Sequence, residues 1–146
     1  MGLPKIVYTP AGSSAVVLQF VNGPQNFTCY TEGRLHDNLA TGGQARERVV
    51  ENLDLMIEFT MPAMDLAAVN AWDLFMQFAL AGGQFDFYPN SDINEQYHCV
   101  AEGKKFQPKR VGLQRYSESF RFRVLPDALA PAGPSQVLAR FHGVAA

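Results

Sequence analysis

Three histidines, two cysteines and fourteen acidic side chains are the residues of this 146-residue chain whose types could do chemistry. Metal capture or nucleophilic catalysis would need several of them to converge. His98 and Cys99 are adjacent in an apolar, strand-like run. Neighbours on a strand point to opposite faces, so in regular geometry this pair can neither ligate one metal nor act as base and nucleophile. His36 sits in a glycine-rich stretch and His142 in the C-terminal segment. The sequence contains no CxxC, no HExxH, no phosphate-cradling glycine loop with its lysine and no nucleophile elbow. The acids Glu47, Glu51, Asp54 and Glu58 read more simply as the solvated or interfacial face of strands than as an acid/base pair. No catalytic, cofactor-binding or metal-ligating residue is therefore assigned, and the expectation is a chain that is not an enzyme and carries no cofactor. Cys29 and Cys99 each fall within an apolar run, where a cysteine behaves as a small buried hydrophobe, so two core thiols are expected rather than a disulfide.

The elements that position these residues follow from hydrophobic period. Val69, Trp72, Phe75, Met76, Ala79 and Leu80 recur at three- and four-residue steps, which predicts a helix over about residues 65–81 with Asn70, Asp73 and Gln77 outward. Asp65 is placed to cap it and the pair Gly82-Gly83 to stop it. Phe85 and Phe87 then alternate with polar neighbours in a short strand that a turn from Pro89 to Asp92 closes. Upstream, residues 5–9 and 15–21 form a hairpin-like pair of β-branched runs, and residues 26–31 a further strand. Residues 32–44 lose the apolar period and collect glycine, Asp37 and Asn38, which predicts a long exposed loop. Residues 45–61 read as two strand-like halves around Glu51-Asn52, with Leu53, Leu55, Ile57 and Phe59 on one face and Asp54, Met56, Glu58 and Thr60 on the other; Pro62 is expected to end them. Strands follow at 96–102, around 106–111, and at 116–125, where Phe120, Phe122 and Val124 face the core and Arg121 and Arg123 face away.

This is one domain over residues 1–125, mostly β. One helix is expected to pack on its antiparallel sheet. Residues 126–146 turn to alanine, proline and glycine and are expected to be a flexible or docking arm, with Val137, Leu138 and Phe141 as the docking motif. A formal net charge of -2 gives no general footprint for nucleic acid or an anionic membrane. The N-terminal residues show no signal-peptide h-region and the chain has no spanning segment, so intracellular synthesis and no membrane contact are expected. Most positive charge lies at Arg46, Arg48, Lys104, Lys105, Lys109, Arg110, Arg115, Arg121 and Arg123. In the closing strand the aromatic residues fall on the face opposite the arginines, which is a core side and a solvent or subunit side rather than a base-stacking surface.

Three patterns, NLDLMIEFTMPAM, NAWDLFMQFALAGGQFDFYPN and YSESFRFRVL after QPKR, together spanning about residues 44–125, resemble the tail proteins of long-tailed bacteriophages, in particular the distal tail or tail-tip family and its tail-tube-like relatives. The resemblance implies a β-sandwich or partly closed barrel with a flanking helix, assembled as a homo-oligomeric ring, a hexamer in that family. Such a ring joins the tail tube to adjacent tail-tip proteins, and DNA passes through its lumen without specific binding. It implies a virion tail location after synthesis in the host cytoplasm. On that reading Arg46, Arg48, Arg121, Arg123, Val137, Leu138 and Phe141 are candidate inter-subunit contacts, and Glu47, Glu51, Asp54 and Glu58 candidate lumen-facing residues. The competing reading is a β-sandwich module that binds carbohydrate or mediates adhesion through exposed aromatic side chains.

Overall fold

The computed structural model describes residues 2–39, 46–103, 105–125 and 133–144, with the backbone alone over 34–39 and 46–53. The strands are β1 Lys5–Tyr8, β2 Val16–Gln19, β3 Gln25–Leu39, β4 Arg46–Met64, β5 Phe85–Tyr88, β6 Tyr97–Ala101, β7 Lys109–Gly112 and β8 Arg115–Val124; the helices are α1 Leu66–Leu80 and α2 Pro134–Phe141. All pairings are antiparallel, in the order β2-β1-β5-β6-β8-β4-β3, with β7 added to β8.

The sheet is rolled but not closed. Two strands, β6 and β8, separate β5 from β4, which in a flat sheet would hold them about 14 Å apart. Yet the rings of Phe87 on β5 and Phe59 on β4 lie 6.2 Å apart, and Phe20, just past β2, lies 5.4 Å from Phe59. The concave side is thus filled by aromatic side chains from strands distant in the order. Period-two alternation supplies them: Ile57, Phe59, Phe85, Phe87, Phe120, Phe122 and Val124 are buried.

Helix α1 covers one flank of this interior. The Asp65 carboxylate accepts the Ala68 amide at 2.9 Å, satisfying one of the four orphan N–H groups of the first turn. Gly82, at φ +98°, takes the left-handed conformation that turns the chain out of the helix. Trp72, Phe75, Met76 and Ala79 are buried, while Leu80, expected on the stripe, is exposed at the last helical position.

Three expectations are corrected. Residues 32–39 are not a loop but the continuation of β3, each paired in register with β4 from Glu32↔Asp54 to Leu39↔Arg46. Residues 40–44 of that predicted loop lie outside the described residues. The two halves of β4 are one strand: its partner runs Arg34↔Asn52 and then Leu35↔Val50, so Glu51 is the extra residue of a β-bulge, not a break. Nor does Pro62 end it. Between Met61↔Glu118 and Met64↔Tyr116 the register shifts, Ala63 sits at φ +47°, and the proline occupies the irregular step, where a missing N–H costs no ladder bond.

Part of the C-terminal segment is docked on the chain's own sheet. Val137 is wholly buried, and the Phe141 ring stacks on Phe27 of β3 with centroids 4.0 Å apart and planes 3° from parallel. Arg140 pairs with Glu95, whose carboxylate also accepts from Tyr97 at 3.1 Å and Gln136 at 3.3 Å. Proline at the first helical position starts α2, and the Arg140 guanidinium donates to the Val144 carbonyl at 2.9 Å. A β-bulge at Asn26, φ +54°, ahead of Phe27 keeps that ring on the core side.

Candidate functional site

The chemistry-bearing residues collect on the convex face of the sheet. Glu58 on β4 lies directly opposite Arg121 on β8, and Met56 opposite Arg123, so all four share that face. The Arg121 guanidinium donates to Glu32 at 2.9 Å and stands 3.9 Å from Glu58; Arg123 donates to Glu102 at 2.6 Å. Tyr30 completes the group, with the Arg121 guanidinium over its ring at 6.0 Å. Burial first, and then the charge of Glu58, push the Tyr30 hydroxyl above its ordinary value. The physical result is an ionic lattice that cross-links β3, β4, β8 and the end of β6. Met56, an apolar exception on a polar face by sequence, is buried at 2% exposure beneath it.

This arrangement changes the sorting of charges. The expectation put carboxylates on one surface and arginines on another. Glu58 and Arg121 are instead neighbours on one surface, and Asp54 is itself buried. Arg46, Glu47, Arg48 and Glu51 lie in β4 where only the backbone is described. Val137 is enclosed in the chain's own core, Phe141 is stacked on Phe27, and Leu138 is half-buried. Period reasoning could find the faces of single strands but not α2, whose signal is the i, i+1, i+4 set Val137, Leu138 and Phe141 behind Pro134.

The histidine and cysteines do not converge. His98 places Nδ1 2.9 Å from Asp86 and Nε2 2.8 Å from the Gln84 side-chain oxygen, and its ring is 39% exposed, whereas Cys99 points into the core at 0%. Among the described residues no three His, Cys, Asp or Glu are grouped to hold a metal. A cleft of about 430 Å³ lies between the end of β2 and the start of α1, walled by Leu18, Met61, Met64, Ala68, Trp72 and Arg115. Its acid, Asp65, is committed to capping α1.

Both cysteines are thiols. Burial pushes the Cys29 thiol from 9 up to about 12, and burial followed by the Glu95 charge pushes the Tyr97 hydroxyl up from 10. In that range the unfolded chain has lost protons the folded chain keeps, so stability is complete below pH 9 and falls as pH rises through the folded values. The thermal midpoint is expected to drop between pH 9 and about 12, and less steeply in Cys29→Ala. A midpoint that stays level over that span would show that these groups ionise without leaving the fold.

No protein-family model matches this sequence, and no curated protein matches it. Among solved structures, the fold is similar to a chain in the tail of an empty GTA particle, computed with helical refinement in C6 symmetry: TM-score 0.47 and 12% sequence identity, covering 84% of this chain and 91% of that one.

Proposed function

We propose that this chain is a non-enzymatic structural subunit that closes with copies of itself into a ring of a phage tail or related particle, joining the tail tube to adjacent tail-tip proteins around the DNA channel. The observation that carries the reading is the β3–β4 ribbon. The last pair of β4 with β8 is Leu55↔Val124, yet β4 continues back to Arg46 and β3 on to Leu39. Among the described residues, this stretch of about 25 Å pairs only with itself. A two-stranded ribbon is marginal alone in water, so chain invested in one implies a surface to receive it, and the adjoining subunit supplies it. Among the described residues no further strand pairs with the outer edges of β2 and β3, which supports the same reading, because ring closure shields edges that a monomer leaves exposed.

The carbohydrate-binding alternative needs aromatic side chains at the surface. Among the described residues none is exposed; the large exposed hydrophobic side chains are all aliphatic. Replacing residues 36–48 with a two-residue turn is expected to leave the thermal transition within about 2–4 °C of the full chain while abolishing rings in sedimentation velocity and negative-stain images. Rings that persist in the shortened protein would remove the ribbon from the interface; a full chain that stays a protomer and binds glycans would replace the reading altogether.

A further inference from the structure

Positive charge is unevenly placed. Five of the twelve Lys and Arg, namely Lys104, Lys105, Lys109, Arg110 and Arg115, fall within residues 103–117, where none of the fourteen acids falls, leaving seven bases against fourteen acids elsewhere. The hairpin of β7 with the start of β8 lifts three of them, Lys109, Arg110 and Arg115, into solvent. Arg110 donates to the Gly112 carbonyl at 3.2 Å and Arg115 to the Gln114 carbonyl at 3.1 Å, both within the turn; no acid pairs with these cations among the described residues. Between them stand Val111, 58% exposed, and Leu113, 80% exposed.

Exposed aliphatic side chains occur elsewhere on this surface, but here two of them stand among three cations on one turn, a mixed patch that matches a partner both apolar and anionic. Nucleic acid meets only the second requirement, and no aromatic ring is presented for base stacking: Tyr116 is half-buried and Phe106 is stacked on Phe120 at 6.0 Å. One convex turn is by itself too small for a stable protein interface, which buries about 1,000 Å² or more, so a protein seated here would have its main contact elsewhere on the surface. An anionic bilayer meets both requirements at this scale, with headgroup charges for the cations and the acyl boundary for Val111 and Leu113.

We propose that residues 109–115 form a membrane-surface contact that binds an anionic lipid bilayer. It rests on the ring reading in one respect: a closed ring carries every copy's hairpin to one plane, so contacts that are weak singly add up on a flat membrane. It revises the expectation of no membrane contact, which rested on the net charge of -2 and on the lack of a signal-peptide h-region and a spanning segment; the net charge does not describe a local cluster of cations. No helix among the described residues is long and apolar enough to cross a membrane, and a surface contact needs none.

The test is co-sedimentation of the full chain with phosphatidylcholine vesicles, with and without phosphatidylserine, at about 0.1 M and 0.5 M salt. Binding is expected to be about tenfold or more tighter on the anionic vesicles and to weaken at the higher salt. Lys109→Glu/Arg110→Glu should lose that preference, and Val111→Ser/Leu113→Ser should lose about tenfold in affinity, both melting like the parent because all four side chains are exposed. Equal binding to both vesicles, undiminished binding by the serine variant, or a DNA duplex bound as tightly as the anionic vesicles would each overturn the contact. Sedimentation velocity on the same samples separates the two ideas. Rings that ignore vesicles sink the contact alone, protomers that bind them through the hairpin sink the ring alone, and protomers that do neither sink both.

Discussion

Trp72→Ala is expected to lower the unfolding free energy by roughly 3–5 kcal/mol, the range for truncating a large aromatic in a close-packed interior. The indole is 2% exposed. It stacks on Phe120 at 4.1 Å and meets Phe20 at 5.2 Å and Phe75 at 5.8 Å, so it is the piece that ties α1 to β8 and to the residue leaving β2. Removing it opens a cavity lined by four rings, those of Phe20, Phe59, Phe75 and Phe120, that cannot collapse without moving strands. Urea titration checks this, with the slope of the transition unchanged if the native architecture survives. A loss below about 0.5 kcal/mol would be that of a surface position and would contradict the burial of the ring.

Ending the chain after Leu125 is expected to cost about 3–5 kcal/mol, since Val137 and Phe141 each contribute about 1.5–3 kcal/mol by leaving water, the latter toward the lower value because its ring is half-buried. The truncation also strips one face of Phe27 and removes both Arg140 and Gln136 from the Glu95 carboxylate. A segment detached from the core would give the opposite result, a transition indistinguishable from the full chain. Thermal melts of the two proteins decide between helix α2 seated on its own sheet and the same helix held by a neighbour.

The residues that were legible in sequence are those whose environment is decided locally. The α1 stripe, its Asp65 cap and the Gly82 stop can be read because each is a matter of period or backbone conformation within a few positions. The buried set Phe85, Phe87, Phe120, Phe122 and Val124 is legible for the same reason. Residues 32–39 were not, because EGRLHDNL has poor strand propensity and becomes a strand only through the ladder that β4 offers it. Likewise α2 is hidden by the alanine and proline around it, and its stability comes from Phe27 and Glu95, far away in the chain. The convex face shows the limit most clearly. Alternation put Glu58 and Arg121 correctly on the polar faces of their own strands, but only the register Glu58↔Arg121 makes those two faces one surface.

The strand order also fixes when the molecule can fold. Four of its seven strand contacts, β1 with β2, β3 with β4, β5 with β6 and β7 with β8, join consecutive strands and can form as soon as each hairpin is made. The three seams between these hairpins are non-local, and two of them, to β4 and to β6, are made by β8. On a ribosome, the Ile57 and Phe59 face of β4 therefore waits without its partner strand until residues up to about 124 have emerged, and loop-closure entropy makes that last docking slow. The exposure of one apolar strand edge, with Leu55, Ile57 and Phe59, during this interval sets the hazard: nascent chains at high local concentration are expected to pair β4 with β4 of a neighbour before β8 arrives. Refolding yield should accordingly fall steeply with protein concentration even though the finished fold presents none of that surface.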